Sequence, residues 1–186
     1  MDMLYLVLAQ AVGFVALALN VISYQLKNSR QLILCRAASD AIYIFHYLLL
    51  GAYSGCVTLV FCVANGLICG ARNGHNWAEW KGWKWVISIL LIAASVTTWI
   101  WRNEFDPLPN LCSVISILAT SWSAWSGRGK VLRVTRLAIS GTTWLLYSVL
   151  VGSIPGALSE AIGMTSSAIG LWRYRKTPEE EMDFNK

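Results

Sequence analysis

The stretch Gly51-Ala52-Tyr53-Ser54-Gly55 separates two long apolar runs, 32–51 and 55–71. A break of the same make-up, Gly152-Ser153-Ile154-Pro155-Gly156, separates two more, 132–152 and 155–172, at a distance of 101 positions (51 to 152). Each run is close to the ~20 mostly apolar residues that a helix needs to cross a bilayer. Sliding the chain on itself by 101 pairs Leu17 with Leu118, Ala37 with Ala138, Ser39 with Ser140, Leu49 with Leu150, Ile68 with Ile169 and Arg72 with Arg173. Tyr24 then meets Trp125, Lys27 meets Arg128, and Tyr43 meets Trp144. The register holds without a gap, so the chain reads as two copies of one three-helix unit.

Working outward from the two breaks, three further apolar runs stand at roughly 4–25, 85–101 and 108–126. They bring the expected number of spans to seven. None alternates with period two, and a bilayer offers the backbone no water, so helix is the form these runs must take. The first run ends in Asn20, Ser23 and Gln25 and lacks a basic start, so it is read as a retained span and not a cleaved signal. Composition agrees. Of the 186 residues, 56% are hydrophobic and 13% charged, about half the ~25% charged share of soluble domains. That excludes a soluble globular protein, a disordered chain and a nucleic-acid binder built on basic patches. Cys35, Cys56, Cys62, Cys69 and Cys112 all lie in apolar stretches at no metal-ligand spacing, so neither a disulfide framework nor a metal site is expected.

Charge placement gives an orientation. With the N-terminus outside, the cytoplasmic segments are 26–31, 72–84, 127–131 and 173–186. They hold Lys27, Arg30, Arg72, Lys81, Lys84, Arg128, Lys130, Arg173, Arg175, Lys176 and Lys186. Arg36, Arg133 and Arg136 fall in the first turns of helices that start inside, where long side chains are expected to snorkel back. Only Arg102 lies outside, beside Glu104 and Asp106. This is a strong positive-inside pattern. Between Asn73 and Trp85, four tryptophans and two lysines suggest an interfacial segment. The acidic tail at Glu179-Glu180-Glu181 reads as a solvated end.

The fold class expected is an all-α integral membrane protein. Its seven transmembrane helices form two parallel three-helix repeats joined by a connecting helix (3+1+3), with the C-terminus cytoplasmic. The first repeat is 1–72, the interfacial segment and connector 73–101, the second repeat 102–172 and the tail 173–186. Parallel repeats of this kind are related by an axis along the membrane normal, and transporters place substrate between the halves.

The layout resembles the SWEET and SemiSWEET sugar facilitators and the wider PQ-loop group. Trp144-Leu145-Leu146-Tyr147, then Pro155, then Glu160 follow that group's W-x-x-Y, proline and pathway asparagine. The match departs at Glu160 and its first-half counterpart Leu59, and Tyr24-Gln25 stands where the helix 1 proline would be. A closer resemblance, over nearly the whole chain, is to the bacterial inner-membrane YgjV family. It is carried by Leu8-Ala9-Gln10-Ala11-Val12-Gly13, by Phe45-His46-Tyr47-Leu48-Leu49-Leu50-Gly51, and by Gly152-Ser153-Ile154 leading to Glu160. This resemblance implies the location and names no substrate.

Ionisable groups inside a bilayer cost about 2.5–3.5 kcal/mol at mid-helix, and they persist where they face a cavity or a partner. Asp40 and Glu160 are the two acids well inside spans. Asp40 is read either as a salt bridge to Arg36, one turn back, or as a substrate or proton group. Glu160 shares a face with Gly163, Ser167 and Gly170, which serve either close packing or a cavity. With no basic residue within a turn, Glu160 is expected to be unpaired and open to proton coupling. His46 is read as a buried, hydrogen-bonded histidine or a relay, and Asn20 and Asn65 as interhelical hydrogen-bonders or pathway groups. Tyr43 and Trp144, related by the 101-residue offset, offer rings for packing or for stacking on a ligand.

The function expected is a facilitator or proton-linked transporter of a small polar solute, with its site between the repeats at mid-membrane. The alternative is a membrane-embedded binding or scaffold protein that does not transport. No enzyme motif, cofactor or metal is expected. The partners are the solute and the lipid bilayer, with homo-oligomerisation left open and no nucleic acid.

Overall fold

A computed structural model describes residues 3–23, 29–71, 75–80, 82–102, 107–126 and 129–173. The basic loop residues Lys27, Arg72, Lys81 and Arg128, the acidic pair Glu104 and Asp106, and the tail from 174 onward lie outside the described residues. Among the described residues there are seven long helices and no strand. These are α1 (Met3–Ser23), α2 (Ser29–Leu49), α3 (Tyr53–Ala71), α4 (Trp83–Arg102), α5 (Pro107–Trp125), α6 and α7 (Ile154–Arg173). Helix α6 runs as Gly129–Thr135, a π turn at Arg136–Ser140, and Gly141–Leu150. A short 3₁₀ turn at Asn76–Glu79 precedes α4.

Three helices are long and apolar enough to cross a membrane by composition: Met3–Ser23, Tyr53–Ala71 and Trp83–Ile100. The other four carry more polar groups, and α6 is interrupted by its π turn. Helix α2 holds Arg36, Asp40 and His46, α5 is rich in serine, α6 holds Arg136, and α7 holds Glu160. The distribution is inverted relative to a soluble bundle. Ser39, Ser113, Ser116, Ser140, Ser148 and Ser153 are buried, while Phe45, Val60, Ile89, Ile100, Val149 and Ile154 face outward. Large aliphatic surface on every side is stable against lipid and not against water.

The helices form a ring. Helix α1 packs on α2, α2 on α3, α3 on α5, α5 on α6, α6 on α7, and α7 back on α1, while α4 lies outside against α3 and α5. Buried hydroxyls tie neighbours through backbone carbonyls left available on the facing helix. Ser39 donates to Ala16 O and Ser116 to Ser140 O, each at 2.7 Å.

The two sequence breaks adopt one geometry. Gly51 has φ +72° and Gly152 has φ +71°, the left-handed conformation that glycine enters without a Cβ penalty. In each turn the glycine N–H bonds three residues back and the next N–H bonds five residues back. The first gives Gly51 to Leu48 O at 3.0 Å and Ala52 to Tyr47 O at 2.9 Å. The second gives Gly152 to Val149 O at 3.2 Å and Ser153 to Ser148 O at 2.8 Å. This is the Schellman pattern, which satisfies the last carbonyls of a helix as the chain reverses. Both turns lie at the same end of the ring, since Tyr147 Oη donates to Ala52 O at 3.3 Å and His46 reaches Ser153.

Candidate functional site

A cavity of about 80 Å³ lies inside the ring. Helix α2 contributes Arg36 and Asp40, and α3 contributes Leu59 and Cys62. Ser116, Ile117, Thr120 and Ser123 of α5 line it, as do Leu132, Arg136, Ser140 and Trp144 of α6 and Glu160 of α7. Its lining reaches Ser123 and Leu132, near the ends of α5 and α6 remote from the turns.

Trp144 bounds the cavity on the turn side. It packs against Tyr147 with ring centroids 5.0 Å apart and against Tyr47 at 5.9 Å. Tyr47 and Tyr147 meet each other at 5.5 Å, and both are fully buried. Their hydroxyls are satisfied, Tyr47 Oη with Ser148 Oγ at 3.2 Å and Tyr147 Oη by donating to Ala52 O. An aromatic layer therefore separates the cavity from the turn end. It needs two glycines: a Cβ at Gly55 would overlap the Tyr147 hydroxyl, and one at Gly156 would press on the Tyr47 hydroxyl.

The sequence reading expected Glu160 to be unpaired, and the structure corrects this. Arg136 Nη2 donates to both carboxylate oxygens of Glu160, at 3.3 and 3.2 Å. The side chains are only 10% and 13% exposed. Arg136 had been expected to snorkel toward the membrane face. It stands seven residues into a helix that begins at Gly129, roughly 10 Å deep at 1.5 Å per residue. The π turn at Arg136–Ser140 begins at this residue, and π turns commonly re-aim side chains at functional sites. On the facing helix, a Cβ at Gly163 would overlap the Arg136 guanidinium, and one at Gly170 would crowd Arg133. The small residues on the Glu160 face thus make room for arginine side chains.

Of the residues singled out from sequence, Asp40, Trp144 and Glu160 meet at the cavity. Asp40 Oδ2 accepts from the Cys62 thiol at 3.3 Å, and Arg36 lines the same space. The other four lie in the surrounding packing. Tyr43 is buried and donates to Pro155 O at 3.2 Å. His46 is fully buried, with Nδ1 2.7 Å from Ala9 O and Nε2 2.6 Å from Ser153 Oγ. A carbonyl only accepts, so Nδ1 donates, and a neutral ring then accepts from Ser153 at Nε2. Asn20 Nδ2 donates to Ser159 Oγ at 2.9 Å, and Asn65 Oδ1 accepts from Trp125 Nε1 at 3.0 Å. These four tie helices together, and α1 is joined to α7 by Asn20.

Arg36, Arg136 and Cys62 belong to the cavity lining, and the sequence reading gave none of them that role. A usable signal was present for Arg136: it stands two turns into its span, and the facing helix carries Gly163.

A family model described as Imp-YgjV, bacterial inner membrane protein, matches residues 7–178. No curated protein and no solved structure matches the chain.

Proposed function

The chain belongs to the Imp-YgjV family of bacterial inner membrane proteins, and on that premise we propose that it is a facilitator of a small polar solute. The observation that carries the reading is the polar cavity enclosed by α2 and α3 on one side and α5, α6 and α7 on the other. Soluble interiors and lipid-facing packing have no need of two arginines and two carboxyl groups around one void. Such groups inside a membrane bundle mark substrate pathways.

We further propose that α1–α3 and α5–α7 are parallel repeats joined by α4, in the manner of the SWEET-like layout. The matching glycine turns at Gly51 and Gly152 support this, as does the position of α4 outside the ring. Transport would then proceed by rocking of the halves around the cavity. In this conformation the aromatic layer blocks the turn end. With the turns assigned to the periplasmic side by the charge pattern, the cavity belongs to the cytoplasmic half of the path. The Glu160–Arg136 pair removes the unpaired Glu160 as a ground for a proton-linked version. The reading assigns the chain no enzymatic chemistry.

Solute flux tests it. Proteoliposomes of the purified chain are shock-treated with glycerol, urea, glycine or glucose and followed by light scattering. Faster entry of at least one solute than in empty liposomes, lost in Trp144→Ala, is the expected result. Entry rates equal to those of empty liposomes for every solute would favour a binding or scaffold role.

A further inference from the structure

The chemistry of the cavity points to a class of solute, and this inference rests on the transport reading above. Arg136 spends a single nitrogen, Nη2, on Glu160. Its Nε is buried and has no hydrogen-bond partner among the described residues. A guanidinium presents five N–H donors in a fixed fork that matches a carboxylate. Arg136 lines the cavity, so the guanidinium donors not spent on Glu160 are the ones an arriving acceptor would meet. On the α2 side, Asp40 accepts from a thiol, which is a weak donor, and a carboxylate has about four lone-pair sites to offer. The cavity therefore has one pole with donors to spare and another with acceptors to spare.

The formal charges around the void balance: Arg36 and Arg136 against Asp40 and Glu160. A ligand of net charge would enter such a site uncompensated, and in a low-dielectric interior that is heavily penalised. A ligand carrying both signs meets both poles and leaves the balance unchanged. Size narrows the class. The cavity is about 80 Å³, well below the roughly 300–1,000 Å³ of pockets for drug-sized ligands. That suits a ligand as small as a small amino acid. We infer that the cavity binds a small zwitterion, its carboxylate on the Arg136 guanidinium and its ammonium on Asp40.

The test is isothermal titration of the purified full chain in detergent with glycine, acetate and methylammonium as probes. Glycine should bind, and acetate and methylammonium should each bind at least about tenfold more weakly. Arg136→Lys keeps the charge opposite Glu160 but loses the fork, so it should fold and should weaken glycine by about tenfold or more. Asp40→Asn should weaken glycine and leave acetate unchanged. Acetate binding as tightly as glycine would replace the zwitterion by an anion and overturn the inference, as would full glycine affinity in Arg136→Lys or no glycine binding in the wild type. Labelled glycine flux in proteoliposomes separates the two readings. Binding without flux would leave the zwitterion site standing and remove transport. Flux of glycerol or urea without glycine binding would do the reverse.

Discussion

Arg136 and Glu160 reach each other across the α6–α7 interface, with Nη2 3.2 Å from Oε2 in a part of the ring almost closed to solvent. Charges held this deep are bound to one another energetically. Removing one partner of a buried pair typically costs about 3–5 kcal/mol, whereas a well-packed apolar replacement of both is close to neutral. Glu160→Gln and Arg136→Met should each lower unfolding stability in detergent by about 3 kcal/mol or more. Arg136→Met combined with Glu160→Met should recover most of that loss while abolishing flux. A double variant as unstable as either single one would mean that the pair is not the source of the stability.

Glycines on the helix faces divide into those that hold a side chain and those that do not. A Cβ at Gly163 would overlap the Arg136 guanidinium, but at Gly66 the nearest atom would be Ala37 Cβ at 3.8 Å, an ordinary contact. Overpacking a filled site costs about 1–3 kcal/mol. Alanine in a helix otherwise gains about 0.5–1 kcal/mol over glycine. Gly163→Ala should therefore destabilise and Gly66→Ala should stabilise, with thermal unfolding of the two variants read side by side.

The turn glycines make a cleaner case, because a Cβ at Gly51 or Gly152 would meet nothing within 4 Å. The whole cost of substitution is then conformational, about 1–2 kcal/mol for an L-residue held in the left-handed region. Gly51→Ala and Gly152→Ala should lower stability by the same amount within experimental error, and Asn should be tolerated better than Ala at both. A large effect at one and none at the other would argue that the two turns are not equivalent parts of a repeat.

The helices were legible in the sequence because the bilayer constraint is one-dimensional: a run of about 20 apolar residues bounded by basic loops has few alternatives. Each expected span lies within a few residues of an observed helix, from 32–51 against Ser29–Leu49 to 155–172 against Ile154–Arg173. The offset also found both glycine turns, since a shared left-handed turn leaves a shared Gly. Partners between helices were harder to read. The spacing rules that assigned Arg136 to the membrane face and left Glu160 alone apply within one helix. Arg136 and Glu160 are 24 residues apart, on helices that meet only through packing. His46 illustrates the same limit. Its burial followed from an apolar neighbourhood, but its partners Ala9 and Ser153 come from two distant segments. Asp40, Trp144 and Glu160 were recognisable as polar or aromatic groups out of place in a span. Their convergence on one cavity depends on the closure of the ring.

The central claim is that the halves move about the cavity to pass a solute, and a cross-link between them tests it most directly. Asn20 of α1 and Ser159 of α7 are in hydrogen-bond contact at 2.9 Å, joining the two helices that the proposal places in different halves. In a background with the five native cysteines replaced by Ser or Ala, Asn20→Cys and Ser159→Cys are joined by a short bifunctional thiol reagent that a reductant cleaves. Solute flux in proteoliposomes is then measured before bridging, after bridging and after reduction. Flux that stops on bridging and returns on reduction is the predicted result. Undiminished flux through a fully bridged protein would contradict the account.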